Sequence, residues 1–282
     1  MDRREQIDAY TPSEMAARVR DAGVTKAHLP TPDLLTLAVL AGAFIGMGAC
    51  FSTLVVTGSE IGFGPTRLLA GLVFSLGLVL VVVAGAELFT GNNLIAMAWA
   101  DRSVTTTELV RNWAWVYVGN LLGALLTALL VFLSGVWKLD GYEVGTSALA
   151  IAASKCELPI VEAFFRGVLC NALVCLSVWL CFSARSTSDK ILSIILPITA
   201  FVALGFEHSI ANMFFIPMGI LLAGEPVLVD SLVGGGQLAS GITWLGFVRN
   251  LVPVTLGNIV GGTFLVAGIY WFVYLRPPER RS

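Results

Sequence analysis

Six stretches of this chain are long and apolar enough to cross a lipid bilayer. A helix needs roughly 20 mostly apolar residues to span the hydrocarbon core. Such runs occur at residues 34–57, 68–100, 112–136, 160–183, 191–223 and 247–275. The second and fifth exceed one straight crossing. Each is interrupted by polar residues: Glu87-Leu88-Phe89-Thr90-Gly91-Asn92-Asn93 in one, Glu207-His208-Ser209 in the other. The pattern predicts an all-α integral membrane protein of six spans, with the second and fifth helices broken. Residues 1–33 form a polar N-terminal tail, 34–275 the membrane domain and 276–282 a short C-terminal tail.

Composition agrees. Only 13% of the 282 residues are charged, against about 25% in soluble domains. A net charge of -2 gives no sign of a nucleic-acid partner. The N-terminal tail lacks the apolar core of a signal peptide, so the first span is expected to direct insertion. The five cysteines form no C-x-x-C. Cys50, Cys170, Cys175 and Cys181 fall in apolar runs, where free cysteine behaves as a small hydrophobe. No Cys/His spacing suggests a metal site, and no cofactor is expected.

Lysine and arginine set the orientation. With the N-terminus inside, twelve of the 17 basic residues fall on cytoplasmic segments. Arg67, Lys138, Lys155 and Arg249 fall outside, and Arg166 lies just within the outer half of the fourth span. Both termini are therefore expected in the cytoplasm.

The two halves repeat. Val110-Arg111-Asn112 leads to Val116, Gly119, Asn120 and Gly123, and Val248-Arg249-Asn250 leads to Val254, Gly257, Asn258 and Gly261 at the same spacing. Gly85, Glu87 and Asn92 likewise correspond to Gly205, Glu207 and Asn212. Three spans per half is an odd number, so the halves must lie in opposite orientations. Inverted repeats with broken helices at matching places point to a transport site. The glycines form small-x-x-x-small patterns that let helices approach closely. Glu87 and Glu207 either satisfy backbone N–H groups freed at the breaks, which cost several kcal/mol if left bare in lipid, or meet the substrate.

His208 is the one histidine in the apolar runs. An ionisable group there is functional by default; the alternative is a neutral imidazole capping a broken helix. Lys155 is a lone cation near a span entrance, and the residues alone do not separate a binding role from an interfacial one. In the tail, Thr11-Pro12-Ser13-Glu14 is a helix start. Met15, Val19 and Ala22 then recur at helical spacing, which predicts a short amphipathic helix on the cytoplasmic membrane face or under the pore.

The run Gly205-Phe206-Glu207-His208-Ser209-Ile210-Ala211-Asn212-Met213 resembles the signature of the formate/nitrite transporter family. Ala86-Glu87-Leu88-Phe89-Thr90-Gly91 is similar to that family's loop in the second helix. Asn112-Trp113 through Gly119-Asn120, Asn250 through Gly257-Asn258, and Asn171 before Val174-Cys175-Leu176 also match, so the resemblance covers nearly the whole chain. Phe214-Phe215-Ile216-Pro217-Met218-Gly219 resembles the formate branch more than the nitrite branch. The resemblance implies an aquaporin-like protomer in a homopentamer, one pore per protomer, in the plasma (inner) membrane. Its partners would be formate or a similar small monovalent anion, a proton and the bilayer. It places Lys155 in the outer vestibule and Asn171, Thr90, Glu207 and His208 at the centre. Phe74, Leu78, Leu88, Phe89, Val174 and Phe201 would form the constrictions, and the N-terminal helix would open or block the cytoplasmic mouth. Nitrite, hydrosulfide, acetate and lactate remain open as substrates. A membrane-embedded enzyme or redox subunit is the other class, but the residues offer no nucleophile with a base and no metal set.

Overall fold

A computed structural model describes residues 8–231 and 240–277. The ends of both tails, 1–7 and 278–282, lie outside the described residues, and with them Arg3, Arg4, Arg280 and Arg281 of the orientation argument. The described chain is helical, without strands. Five helices are long and apolar enough to cross a membrane: α2 (Thr31–Val56), α3 (Phe63–Ala84), α6 (Thr106–Ser134), α8 (Ile160–Cys181), and α12 (Trp244–Val260), which continues in wider π-helical turns over Gly261–Gly268 and Trp271–Leu275. The fifth apolar run is two shorter helices, α9 (Thr187–Ala203) and α10 (Ser209–Leu222). The second run breaks likewise after α3, and resumes as α4 (Phe89–Asn92), a 3-10 turn (Asn93–Ile95) and α5 (Ala96–Ala100). Between Leu222 and Trp244, α11 (Pro226–Ser231) is described.

The two breaks end in the same way. Gly85 and Gly205 close α3 and α9 at φ 83 and 71, a left-handed conformation that glycine adopts without steric cost. The chain then runs extended through Leu88 and through His208 before the next helix starts.

Glycines seat the long helices against one another. An added Cβ at Gly123 of α6 would lie 2.0 Å from the Val39 carbonyl oxygen of α2, and one at Gly257 of α12 would lie 2.2 Å from that of Phe164 in α8. The backbones are in direct contact there, as the small-residue spacing suggests. Two hydrogen bonds join equivalent positions of the halves. Ser75 Oγ donates to the Ile195 carbonyl, 120 positions on, at 3.4 Å. Tyr117 and Thr255, 138 apart, share a hydroxyl contact of 2.9 Å. Where equivalent residues touch, the axis relating the halves passes between them.

Two further helices complete the mouths. α1 (Pro12–Ala27) starts with the capping box of Thr11 and Glu14 and buries Met15, Ala16, Val19, Gly23 and Ala27 against the segments after the first break. Arg111 of α6 ties down its exit, donating to the carbonyls of Ala27 and Leu29 and to Thr31 Oγ1. α7 (Glu143–Glu157) lies ahead of α8 and carries Lys155 in its last turn. Sequence periodicity did not single out α7: its 15 residues are too few for a span.

A two-vestibule candidate pore

Two cavities enter the helical bundle. The larger, of about 580 Å³, is lined by Arg67, Phe74, Lys155, Phe201, Glu207 and His208, and reaches the α2–α3 loop at Ser59 and Glu60. The smaller, of about 300 Å³, is lined by Lys26, Leu78, Glu87, Leu88, Asn92 and Lys190, and lies over Val19, Ala22 and Gly23 of α1. Phe74 and Leu78 stand one turn apart on α3, so the cavities approach each other along that helix.

Each cavity ends on the same buried network. On the larger side, Lys155 Nζ donates to both carboxylate oxygens of Glu207 at 2.9 and 3.1 Å. Asn212 Nδ2 donates to Glu207 Oε2 at 2.6 Å and to Asn250 Oδ1 at 2.7 Å. Asn250 Nδ2 closes the ring on the Lys155 carbonyl at 2.9 Å. On the smaller side, Lys26 Nζ pairs with Glu87. Asn92 Nδ2 donates to Glu87 Oε2 at 2.7 Å and to Asn112 Oδ1 at 3.0 Å, and Asn112 Nδ2 returns to the Lys26 carbonyl at 2.9 Å. The repeat thus extends to the first helix of each half, with Lys26 as counterpart of Lys155.

These contacts revise two sequence expectations. Lys155 is not a lone cation, because Glu207 reaches it across the break. The glutamates do not satisfy the freed backbone N–H groups: a buried carboxylate beside an ammonium gains more from that charge-assisted bond. Asparagines take the backbone role. Asn120 Oδ1 accepts from the Phe89 N–H at 2.9 Å while its Nδ2 donates to the carbonyls of Ala38 and Glu87. Asn258 does the same for the Ser209 N–H and the carbonyls of Gly167 and Glu207. Lys26 was missed altogether. Its signal was positional, a lysine ahead of each first span, and the flanking residues share too little identity to show it.

Between the cavities stands one polar bridge. His208 caps α10: its Nδ1 accepts from the Ala211 N–H at 3.1 Å. The neutral ring therefore carries its proton on Nε2, which lies 2.9 Å from Thr90 Oγ1. Thr90 accepts, and its own hydroxyl proton is left for another partner. Both readings of His208 meet here, since the ring caps a broken helix and also reaches across to the other break. It does not contact Glu207, whose oxygens face Lys155 and Asn212. Asn171 Nδ2 lies within 2.7 Å of Asn93 Oδ1 and of the Asn258 carbonyl and 3.2 Å from the Thr90 carbonyl. It braces the Thr90 turn and lines neither cavity.

The apolar residues divide. Phe74 and Phe201 close the inner end of the larger cavity, with ring centroids 5.5 Å apart at 85°, and Phe201 stacks on His208 at 5.8 Å. Leu78 and Leu88 face the smaller one. Phe89 turns its ring to Tyr117 and Trp113 of α6, at 4.9 and 6.2 Å, because its backbone N–H is held by Asn120. Val174 is buried in the core around α8. Phe89 and Val174 line neither cavity.

A family model described as formate/nitrite transporter matches residues 13–272. The chain is 43% identical to formate channel FocA of Escherichia coli strain K12 over 274 residues, 96% of each chain. It is 39% identical to a probable formate transporter of Methanothermobacter thermautotrophicus, covering 85% of this chain and 97% of that one. A solved pentameric formate channel with formate bound superposes with a TM-score of 0.81 at 43% identity, over 87% of this chain and 98% of that chain. An FNT family ion channel, 26% identical, gives 0.80 over 93% and 99%.

Proposed function

Since the chain belongs to the formate/nitrite transporter family, we propose that each protomer conducts formate between the two vestibules, as one of five in a homopentamer of the inner membrane. The relatives named for formate support the substrate, and the solved pentamer supports the assembly. The lysine and arginine distribution supports cytoplasmic termini, which puts the Lys155 vestibule outside and the Lys26 vestibule inside. The substrate leaves chemically unchanged, so the protein is not an enzyme.

The observation that carries the reading is a pair of partly buried lysines, each paired with a buried glutamate, at opposite ends of an apolar barrier that holds one histidine–threonine hydrogen bond. An ammonium has three donors. Glu207 occupies two of those on Lys155, and the third is available to an incoming anion. Beyond it, Phe74, Phe201, Leu78 and Leu88 form a medium in which a bare ion is heavily penalised by desolvation. A neutral acid is not. Charging His208 adds a proton at Nδ1 and breaks the cap to Ala211, which costs about 1 kcal/mol for that hydrogen bond in addition to the desolvation of a buried cation. The imidazolium then gives its Nε2 proton through the Thr90 hydroxyl to formate, leaving neutral imidazole and formic acid. Asn171 holds the Thr90 turn in place for that transfer. Low external pH favours import with a proton, and near neutrality the path permits outward flow.

The test is purified protein in liposomes, given formate, nitrite, hydrosulfide, acetate and lactate at two pH values. Formate should be the fastest of the panel, unaltered, and faster into the vesicle from the acidic side. Faster flux of another anion, or chemical conversion, would overturn the reading.

A further inference from the structure

Besides Lys155 and Arg166, which pairs with Glu162, the larger vestibule contains a third cation with a different attachment. Arg67 stands in the second turn of α3 and lines the cavity beside Lys155 and Phe201. Its Nε donates to the Ala203 carbonyl at 3.1 Å and its Nη2 to that of Val202. Both carbonyls belong to the last turn of α9, just ahead of the break at Gly205. An added Cβ on Gly205 would lie 3.4 Å from Nη2, so the guanidinium sits against the break itself.

A broken helix creates a problem for an anion path. The last carbonyls of a helix have no partner within it, and together they act as about half a negative charge. The carboxyl end of α9 lies on the wall of this vestibule, where that charge would oppose an entering anion. A guanidinium covering two of those carbonyls reverses the local sign, and its charge does not titrate at any working pH. The equivalent position in the other half is Thr187, which carries no charge.

We infer that Arg67 is an affinity-setting residue of the larger vestibule, which masks the carboxyl end of α9 and presents a permanent positive charge to the anion beside Lys155. This rests on the reading that an anion passes through that vestibule. Arg67 touches the helix end rather than the barrier, so it sets how readily anions enter and not how fast the bound anion crosses.

The experiment compares the unmodified protein, Arg67→Gln and Arg67→Lys in liposomes of neutral lipid, measuring formate KM and maximal flux at low and high salt. Arg67→Gln should raise KM about three- to tenfold at low ionic strength, with maximal flux kept, and the difference should shrink as salt screens the vestibule. Arg67→Lys retains the charge and should recover most of the affinity. An unmoved KM would overturn the inference, as would a fall in maximal flux alone, which would make Arg67 a tie between α3 and α9. A lysine variant as weak as the glutamine one would also overturn it. If the unmodified protein itself carries no formate, the substrate reading fails instead.

Discussion

Asparagine in place of His208 keeps a side chain able to cap α10 and removes the imidazole. The expected result is a folded pentamer whose formate flux no longer changes with pH, measured in liposomes across a pH series. An unchanged rate and profile would leave His208 as a cap alone. Lys155→Ala makes a different kind of change, because Glu207 is buried and its carboxylate loses its cation. Breaking such a pair costs about 3–5 kcal/mol. Thermal unfolding should therefore move to a lower temperature in Lys155→Ala, and adding Glu207→Gln should restore much of the loss. Flux at low formate should fall in both variants, and a loss of flux reversed together with stability would point to folding alone. The sequence shows Glu207, His208 and Thr90 because they sit in polar interruptions of apolar runs. It hides what they bind. Lys155 approaches Glu207 from 52 positions away, and Asn120 supplies the backbone acceptor first assigned to Glu87. These are tertiary partnerships between residues with no fixed spacing.

At the scale of elements, the spans and their breaks are legible because lipid demands length and apolarity, and glycine marks each halt. α7 is not, since it packs against protein and its residues follow no lipid rule: its Ala152 lies against Gly219 of α10. Leu88 stands at the first break as the counterpart of His208 at the second. Leu88→Ala should open the smaller vestibule toward the bridge and raise leakage of larger monocarboxylates such as lactate; equal permeability to lactate would place Leu88 in the packing. The helix starts predict a pH response. Hydrogen bonds from the Thr11 side chain and backbone hold the Glu14 carboxyl below its ordinary 4.5. Thr105 does this for Glu108 through its backbone and side chain, and Ser186 for Asp189, first through its side chain. A carboxyl whose value is depressed by folding stabilises the fold above its unfolded value, and that contribution is lost as pH falls through the folded one. Hydrogen exchange at the first turns of α1 and α6 should therefore quicken below about pH 4.5, and at that of α9 below about pH 3.8, relative to mid-helix amides. Uniform exchange on acidification would count against the capping boxes.

For the whole molecule, five protomers with cytoplasmic termini make a definite expectation. Native mass spectrometry should report a pentamer, and a reporter fused at the C-terminus should be active only inside the cell; a stable monomer or an external reporter would refute the respective half. The axis marked by Tyr117 and Thr255 has a separate consequence for stoichiometry. Two identical half-proteins meeting head to tail would put two copies of one residue on that axis, and would supply histidines to the barrier in pairs or not at all. A single chain holding both halves escapes this arithmetic. It sets a tyrosine against a threonine, and a leucine at 88 opposite a histidine at 208. The outcome is one histidine in the barrier of each path, which no strictly symmetric dimer of halves could provide.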